Sequence, residues 1–178
     1  MGQDAAWADL SPGLRWRFCY PTRMSLSPLL AFLRYDPSTN PLNNNEWSFP
    51  LLEILHILGF ALSIGTIVVV DLRLLGWGMK RSTPSQLLKD TAPWTLAGLV
   101  VMLTTGPGIF SSDPYMYLNN QSFRFKMGAL LLAILYNYTI RRKVAAANAS
   151  GTAAVLTGAI SMALWVSVVA GGLFIAFV

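Results

Sequence analysis

The chain is organised as four long apolar segments separated by short polar connections. The segments cover residues 49–70, 92–110, 125–140 and 153–178. A helix needs about 20 apolar residues to cross the hydrocarbon core of a bilayer, so each segment is long enough, or nearly long enough, to span it. The pattern predicts an all-α fold, namely a four-transmembrane-helix bundle.

The third segment, 125–140, is the shortest of the four. Aromatic and basic side chains lie at its end, and such residues anchor helices at the membrane interface. We therefore expect this segment to cross as well. The anchoring residues are Tyr136, Tyr138, Arg141, Arg142 and Lys143.

Residues 1–46 differ from the rest in being polar and carrying several prolines. Within this tail, residues 26–33 are apolar but too short to cross a bilayer, so we predict a short helix lying at the interface. Met24 is a candidate alternative start. The expected organisation is an N-terminal tail, 1–46, followed by a transmembrane domain, 47–178.

Composition supports a membrane protein. Hydrophobic residues make up 54% of the chain and charged residues 12%, against about 45–50% and about 25% in soluble domains. A soluble enzyme is therefore disfavoured. The net charge of +5 comes from basic residues placed between the apolar segments, which indicates contact with lipid headgroups and not with nucleic acid.

The basic residues also predict an orientation. They are concentrated in the first connection, 71–90, and in the third, which begins at Arg141. By the positive-inside rule these two connections are cytoplasmic. We expect an inner-membrane protein of a bacterium with both termini on the outer, periplasmic side.

The most informative polar residues lie in the first segment. Glu53 and His56 are three positions apart and so share one helix face. Ionisable groups inside a membrane are costly unless they face protein, water or a ligand. In the predicted topology Thr105 of the second segment and Lys126 of the third fall in the same outer half, where all four residues can converge.

This cluster is typical of a cofactor site. We interpret His56 as the axial ligand of a b-type haem, because neutral imidazole binds iron and an apolar bundle shields a porphyrin. Lys126 would neutralise a propionate, and Glu53 would accept the imidazole N–H or carry protons. As His56 is the chain's single histidine, bis-histidine ligation requires a second copy or a partner. A methionine, such as Met102 or Met127, is another candidate sixth ligand.

A purely structural interpretation of the same residues stays open. Glu53 then pairs with Lys126, and His56 bonds a backbone carbonyl or a threonine hydroxyl, linking helices without any cofactor.

Two further sets of residues are expected to serve packing. Asp71 is predicted to pair with Arg73 or with Lys89 in the first connection, while Asn137 forms hydrogen bonds between helices. In the fourth segment, small residues recur every four positions and are predicted to form the packing face. They are Ala159, Ala163, Ser167 and Gly171.

Pro107 is expected to bend or end the second helix. The chain lacks a glycine-rich phosphate loop, an HExxH pair and a recognisable catalytic triad.

The chain from Trp47 onward resembles an uncharacterised family of bacterial four-span membrane proteins, a domain of unknown function. The matching elements are Trp47-x-Phe49-Pro50, Glu53-x-x-His56, Asp71-Leu72-Arg73-Leu74-Leu75-Gly76, Pro93-Trp94, Thr105-Gly106 and Phe123-x-x-Lys126. A weaker likeness links His56 and Lys126 to the membrane-bound haem-binding protoporphyrinogen oxidases. That resemblance implies a haem or porphyrin role.

Three functions are therefore compatible with the sequence. The first is a small b-haem or redox membrane protein, and the second is a non-catalytic accessory subunit of a larger membrane complex or a homo-oligomer. The third is a carrier for protons or a small solute. Whether the protein is an enzyme stays open.

Overall fold

A computed structural model describes residues 40–177. The described part is helical and contains no β-strand, which confirms the all-α class. The interfacial helix predicted for residues 26–33 lies outside the described residues. The helices are α1 (Ser48–Leu74), α2 (Pro84–Ser112), α3 (Pro114–Asn119), α4 (Gln121–Tyr136), a π-helical turn (Asn137–Arg141), α5 (Arg142–Ala146), α6 (Thr152–Phe174) and a final 3₁₀ turn (Ile175–Phe177).

Three of these helices, α1, α2 and α6, are long and apolar enough to cross a membrane. They correspond to the first, second and fourth predicted segments. The third segment forms α4, which has 16 residues and is shorter than the roughly 20 that a crossing needs. A continuous helical path nevertheless runs from α4 through the π turn into α5. Helix length and composition thus establish three candidate spans, not four.

Local sequence explains where the helices begin and end. Thr83 and Gln86 form a reciprocal capping box at the start of α2, with Pro84 in the first turn. Gly76 and Gly78 follow α1 with φ angles of +80° and +83°, a conformation that only glycine adopts without strain. Pro107 does not end α2, which continues to Ser112.

The closest helix approach joins α1 and α2. Gly59 and Gly98 face each other there, and a Cβ atom at Gly98 would overlap the Gly59 carbonyl and the Ser63 backbone. The absence of side chains lets the two backbones touch, as is common between helices in membranes. Helix α4 packs mainly on α6, and α6 also contacts α1.

An apolar core fills the centre of the four long elements, and the outward faces are apolar as well. The core consists of Ile67, Leu99, Met102, Ala129, Leu130, Ala133, Trp165 and Val168. Large exposed side chains include Leu51, Ile54, Leu58, Leu96, Leu131, Leu132, Leu156 and Val166. An outer surface so rich in leucine and isoleucine suits a lipid environment.

The predicted packing face of α6 is wrong. Ala159 and Ala163 are exposed, whereas the buried face carries Gly158, Trp165 and Val168. Each four-residue step rotates the side chain by about 40° beyond a full turn. Residues repeating at that interval therefore drift around the helix, and only the last of them, Gly171, is buried.

The connections define two ends of the bundle. Residues 75–83, after α1, and 147–151, before α6, lie together, because the Ser85 amide donates to Asn148 Oδ1 at 3.0 Å. We call this the basic end, since Lys80, Arg81 and Lys143 lie at it. At the opposite end, Asn120 donates to the Ile175 carbonyl at 3.0 Å.

Candidate functional site

His56 lies near the opposite end, between α1 and α2, and is partly buried. Its Nδ1 is 2.8 Å from Thr105 Oγ1. The Thr105 hydroxyl is also 2.7 Å from the Val101 carbonyl, to which it donates. A hydroxyl has one proton, so both hydrogen bonds form only when Nδ1–H donates to Thr105. In this tautomer the Nε2 nitrogen of His56 carries a free lone pair.

Glycine residues leave room around this imidazole. A Cβ atom added at Gly106 would lie 3.4 Å from His56 Cε1. A side chain at this position would therefore contact the ring edge. The Thr105-Gly106 pair both orients His56 and keeps one side of it open.

Lys126 comes to the same region from α4. It is partly buried and close enough to His56 for their charges to interact. Its stem packs against α6, where a Cβ atom at Gly171 or Gly172 would lie 3.1 or 3.5 Å from Lys126 atoms. The predicted convergence of residues from α1, α2 and α4 is thus present for His56, Thr105 and Lys126.

Glu53 takes a different position from the one expected. It is exposed and forms no ion pair with Lys126, and Thr105, not Glu53, accepts the imidazole N–H. The ion-pair version of the structural interpretation is therefore wrong. The predicted hydrogen bond from His56 to a threonine hydroxyl is present.

The charge of Glu53 acts instead on Tyr117, a residue that sequence reasoning missed. Burial raises the pKa of the Tyr117 phenol, and the nearby Glu53 carboxylate raises it further. Tyr117 belongs to the short helix α3, and its ring lies 5.3 Å from Phe123 and 6.1 Å from Phe110. This aromatic cluster therefore lies beside the Glu53 end of the site.

A second polar cluster lies near the basic end and is fully buried. Arg141 Nε donates to Asp71 Oδ1, and the two side chains are 3% and 0% exposed. Ser161 donates to the other carboxylate oxygen at 2.6 Å. The remaining guanidinium nitrogens donate to Asn137 Oδ1 at 2.7 Å and to the Ile67 carbonyl at 2.8 Å.

This cluster corrects three sequence predictions. Asp71 does not pair with Arg73, which instead donates to the Ser82 carbonyl at 2.8 Å. Arg141 is no interfacial anchor, and Asn137 bonds Arg141 within its own helical turn. The π turn explains the last point, because its wider coil brings residues four positions apart onto one face.

The two clusters differ in chemical capacity. In the Asp71–Arg141 cluster each charge is neutralised and hydrogen-bonded, which is the condition under which a buried ion pair is tolerated. The His56 cluster retains a free nitrogen lone pair and a separate cation. Among residues 40–177 no group of three or more His, Cys, Asp or Glu residues could hold a metal ion by itself.

These features define a small helical protein with three candidate membrane spans and two polar clusters between its helices. The chain belongs to a family of unknown function, DUF6644, whose model matches residues 50–178. The predicted membership of an uncharacterised family is thereby confirmed. No curated protein and no solved structure matches the chain at a significant level.

Proposed function

We propose that this membrane protein binds a b-type haem through Nε2 of His56. The observation that carries the proposal is the hydrogen bond from His56 Nδ1 to Thr105, which orients the ring and leaves Nε2 unprotonated. Histidines that bind metals commonly donate their other N–H in this way.

The surrounding residues fit an axial ligand. Gly106 keeps the ring edge clear, and Lys126 supplies a cation for a propionate. Glu53, exposed one helical turn from His56, is suited to carrying protons. A bound b haem would supply one-electron transfer at its iron.

The ligand on the other side of the iron is the open part of this proposal. His56 is the single histidine of the chain, so a second histidine must come from another copy in a homo-oligomer. Of the methionines considered, Met102 is buried on α2 one turn before Thr105, whereas Met127 is exposed. Met102 is therefore the better candidate within one copy.

We further propose that the path through α4, the π turn and α5 is a fourth crossing. Its helical backbone is continuous, and it packs along α6, which can itself span a membrane. The basic end would then face the cytoplasm and both termini the periplasm, as the positive-inside rule predicts for a bacterial inner-membrane protein.

The test is the visible absorption spectrum of protein purified in a mild detergent. We expect a Soret band that is lost in His56→Ala. Thr104→Val is the matched control, because Thr104 is exposed and bonds only carbonyls of its own helix. A folded, colourless wild-type protein from haem-replete cells would contradict the proposal.

A second candidate function is proton or small-solute transport. It is favoured by Ser63 Oγ, which is buried between α1 and α2 and has no hydrogen-bond partner among the described residues. Ser63 lies between the two clusters, and the Thr66–Thr95 hydrogen bond of 2.8 Å follows it toward Asp71. Unsatisfied polar groups in a membrane interior often mark a solute path.

Transport is tested by proton flux in liposomes containing the purified protein. This function requires flux that is lost in Glu53→Gln or Ser63→Ala. Flux equal to that of protein-free liposomes would exclude proton transport, whatever the absorption spectrum shows.

A further inference from the structure

A groove between α2 and the α4–α5 path opens near the basic end. It consists of two adjoining cavities of about 220 and 380 Å³, which share Leu88, Ala92 and Arg142 as lining residues. The groove follows α2 from Ser85 to Leu96. That length corresponds to roughly 16 Å of helix.

The chemistry of the lining changes along the groove. Near the basic end it carries Ser85, Lys89 and Arg142, whereas farther along it becomes apolar with Pro93 and Leu96. A ligand that fits this gradient has an anionic head and a long apolar tail.

The positive charge of the outer part is not compensated within the described chain. Arg141 also lines the groove, but its charge is neutralised by Asp71. Lys89 and Arg142 are exposed and form no ion pair in residues 40–177. Two cations therefore face a ligand at this position.

We propose that the groove binds an anionic phospholipid, with its phosphate on Lys89 and Arg142 and an acyl chain along Leu88, Ala92 and Leu96. Basic pockets between helices on the cytoplasmic side of a membrane recognise anionic headgroups in this way. The apolar part distinguishes a lipid from free phosphate, which would leave that surface unoccupied. The inference concerns the end of the bundle remote from His56 and is independent of the proposed haem.

Native mass spectrometry of the purified full chain tests the proposal. Phosphatidylglycerol and phosphatidylcholine with identical acyl chains are titrated separately. We expect saturable binding of phosphatidylglycerol, weakened about tenfold or more in the double variant Lys89→Gln/Arg142→Gln. The control Lys80→Gln/Lys143→Gln removes the same charge at the same end, from residues outside the groove, and should bind within about twofold of wild type.

A second pair of variants tests the apolar part without altering charge. Ala92 lines both cavities, whereas Ala97 is an exposed residue of the same helix outside them. Ala92→Leu should reduce phosphatidylglycerol binding, and Ala97→Leu should not.

Three results would overturn the inference. They are equal binding of the two lipids, equal loss in both charge variants, and displacement of the lipid by inorganic phosphate at millimolar concentration. The last would identify a phosphate site that does not require a lipid tail.

Discussion

Arg141 reaches from the π turn to Asp71 at the end of α1, a residue 70 positions earlier in the chain. The pair ties α1 to the α4–α5 path, and Ser161 adds α6 through its hydrogen bond to the same carboxylate. Gly158 makes this possible, since a Cβ atom there would lie 3.0 Å from the Asp71 carbonyl oxygen. The cluster therefore fixes how three of the helices meet near the basic end.

Loss of one partner from this pair should be strongly destabilising. Arg141→Met leaves a buried carboxylate without its counter-charge, at a cost of about 3–5 kcal/mol. The measurement is thermal unfolding in detergent, with the exposed Lys143→Met as control. The double variant Asp71→Leu/Arg141→Met should recover much of the loss. A double variant as unstable as the sum of both single ones would contradict a direct pairing.

The contact between α1 and α2 predicts opposite outcomes for two glycine substitutions. Gly98→Ala places a Cβ atom against the Gly59 carbonyl and Ser63, so we expect a loss of about 1–3 kcal/mol from overpacking. Gly65→Ala, in the same helix pair, meets nothing within 4 Å. It should be neutral or stabilising by up to about 1 kcal/mol. Equal effects in unfolding assays would argue against the close crossing.

The tautomer of His56 should depend on Thr105. In the wild type, ¹⁵N chemical shifts of the imidazole should show a protonated Nδ1 and an unprotonated Nε2. Thr105→Val removes the acceptor and should give a mixture of tautomers, whereas Thr104→Val should leave the wild-type pattern. A protonated Nε2 in the wild type without added haem would remove the basis for ligation.

Tyr117 should report on Glu53. Burial, the larger cause, and the Glu53 carboxylate both raise the pKa of the phenol. Glu53→Gln should therefore lower that pKa without returning it to the ordinary value of about 10. Tyrosinate absorbance, compared with Tyr117→Phe, measures the change. An unchanged pKa would place the carboxylate too far from the ring.

The sequence predicted the helices well where apolar runs were long, and failed where rotation about a helix axis decides the contacts. Segments 49–70, 92–110 and 153–178 each became one helix. The grouping of His56, Thr105 and Lys126 was predictable, because depth in the membrane follows from counting residues along each span.

Contacts of Asp71 and Arg141 were not predictable in the same way. Arg141 begins a basic run that is typical of an interfacial anchor, and only the π turn rotates it inward. Tyr117 was missed for a related reason, since it lies in a connection with no regular apolar pattern. Its position depends on the Asp113 cap and Pro114, which start α3.

Titration of haem b into purified, haem-free protein tests the central proposal most directly. We predict a saturable Soret increase with a single site per chain in the wild type and in Thr104→Val. His56→Ala should show only the linear, non-saturating rise of haem dissolving in detergent. Identical saturable curves for the wild type and His56→Ala would show that His56 is not the ligand.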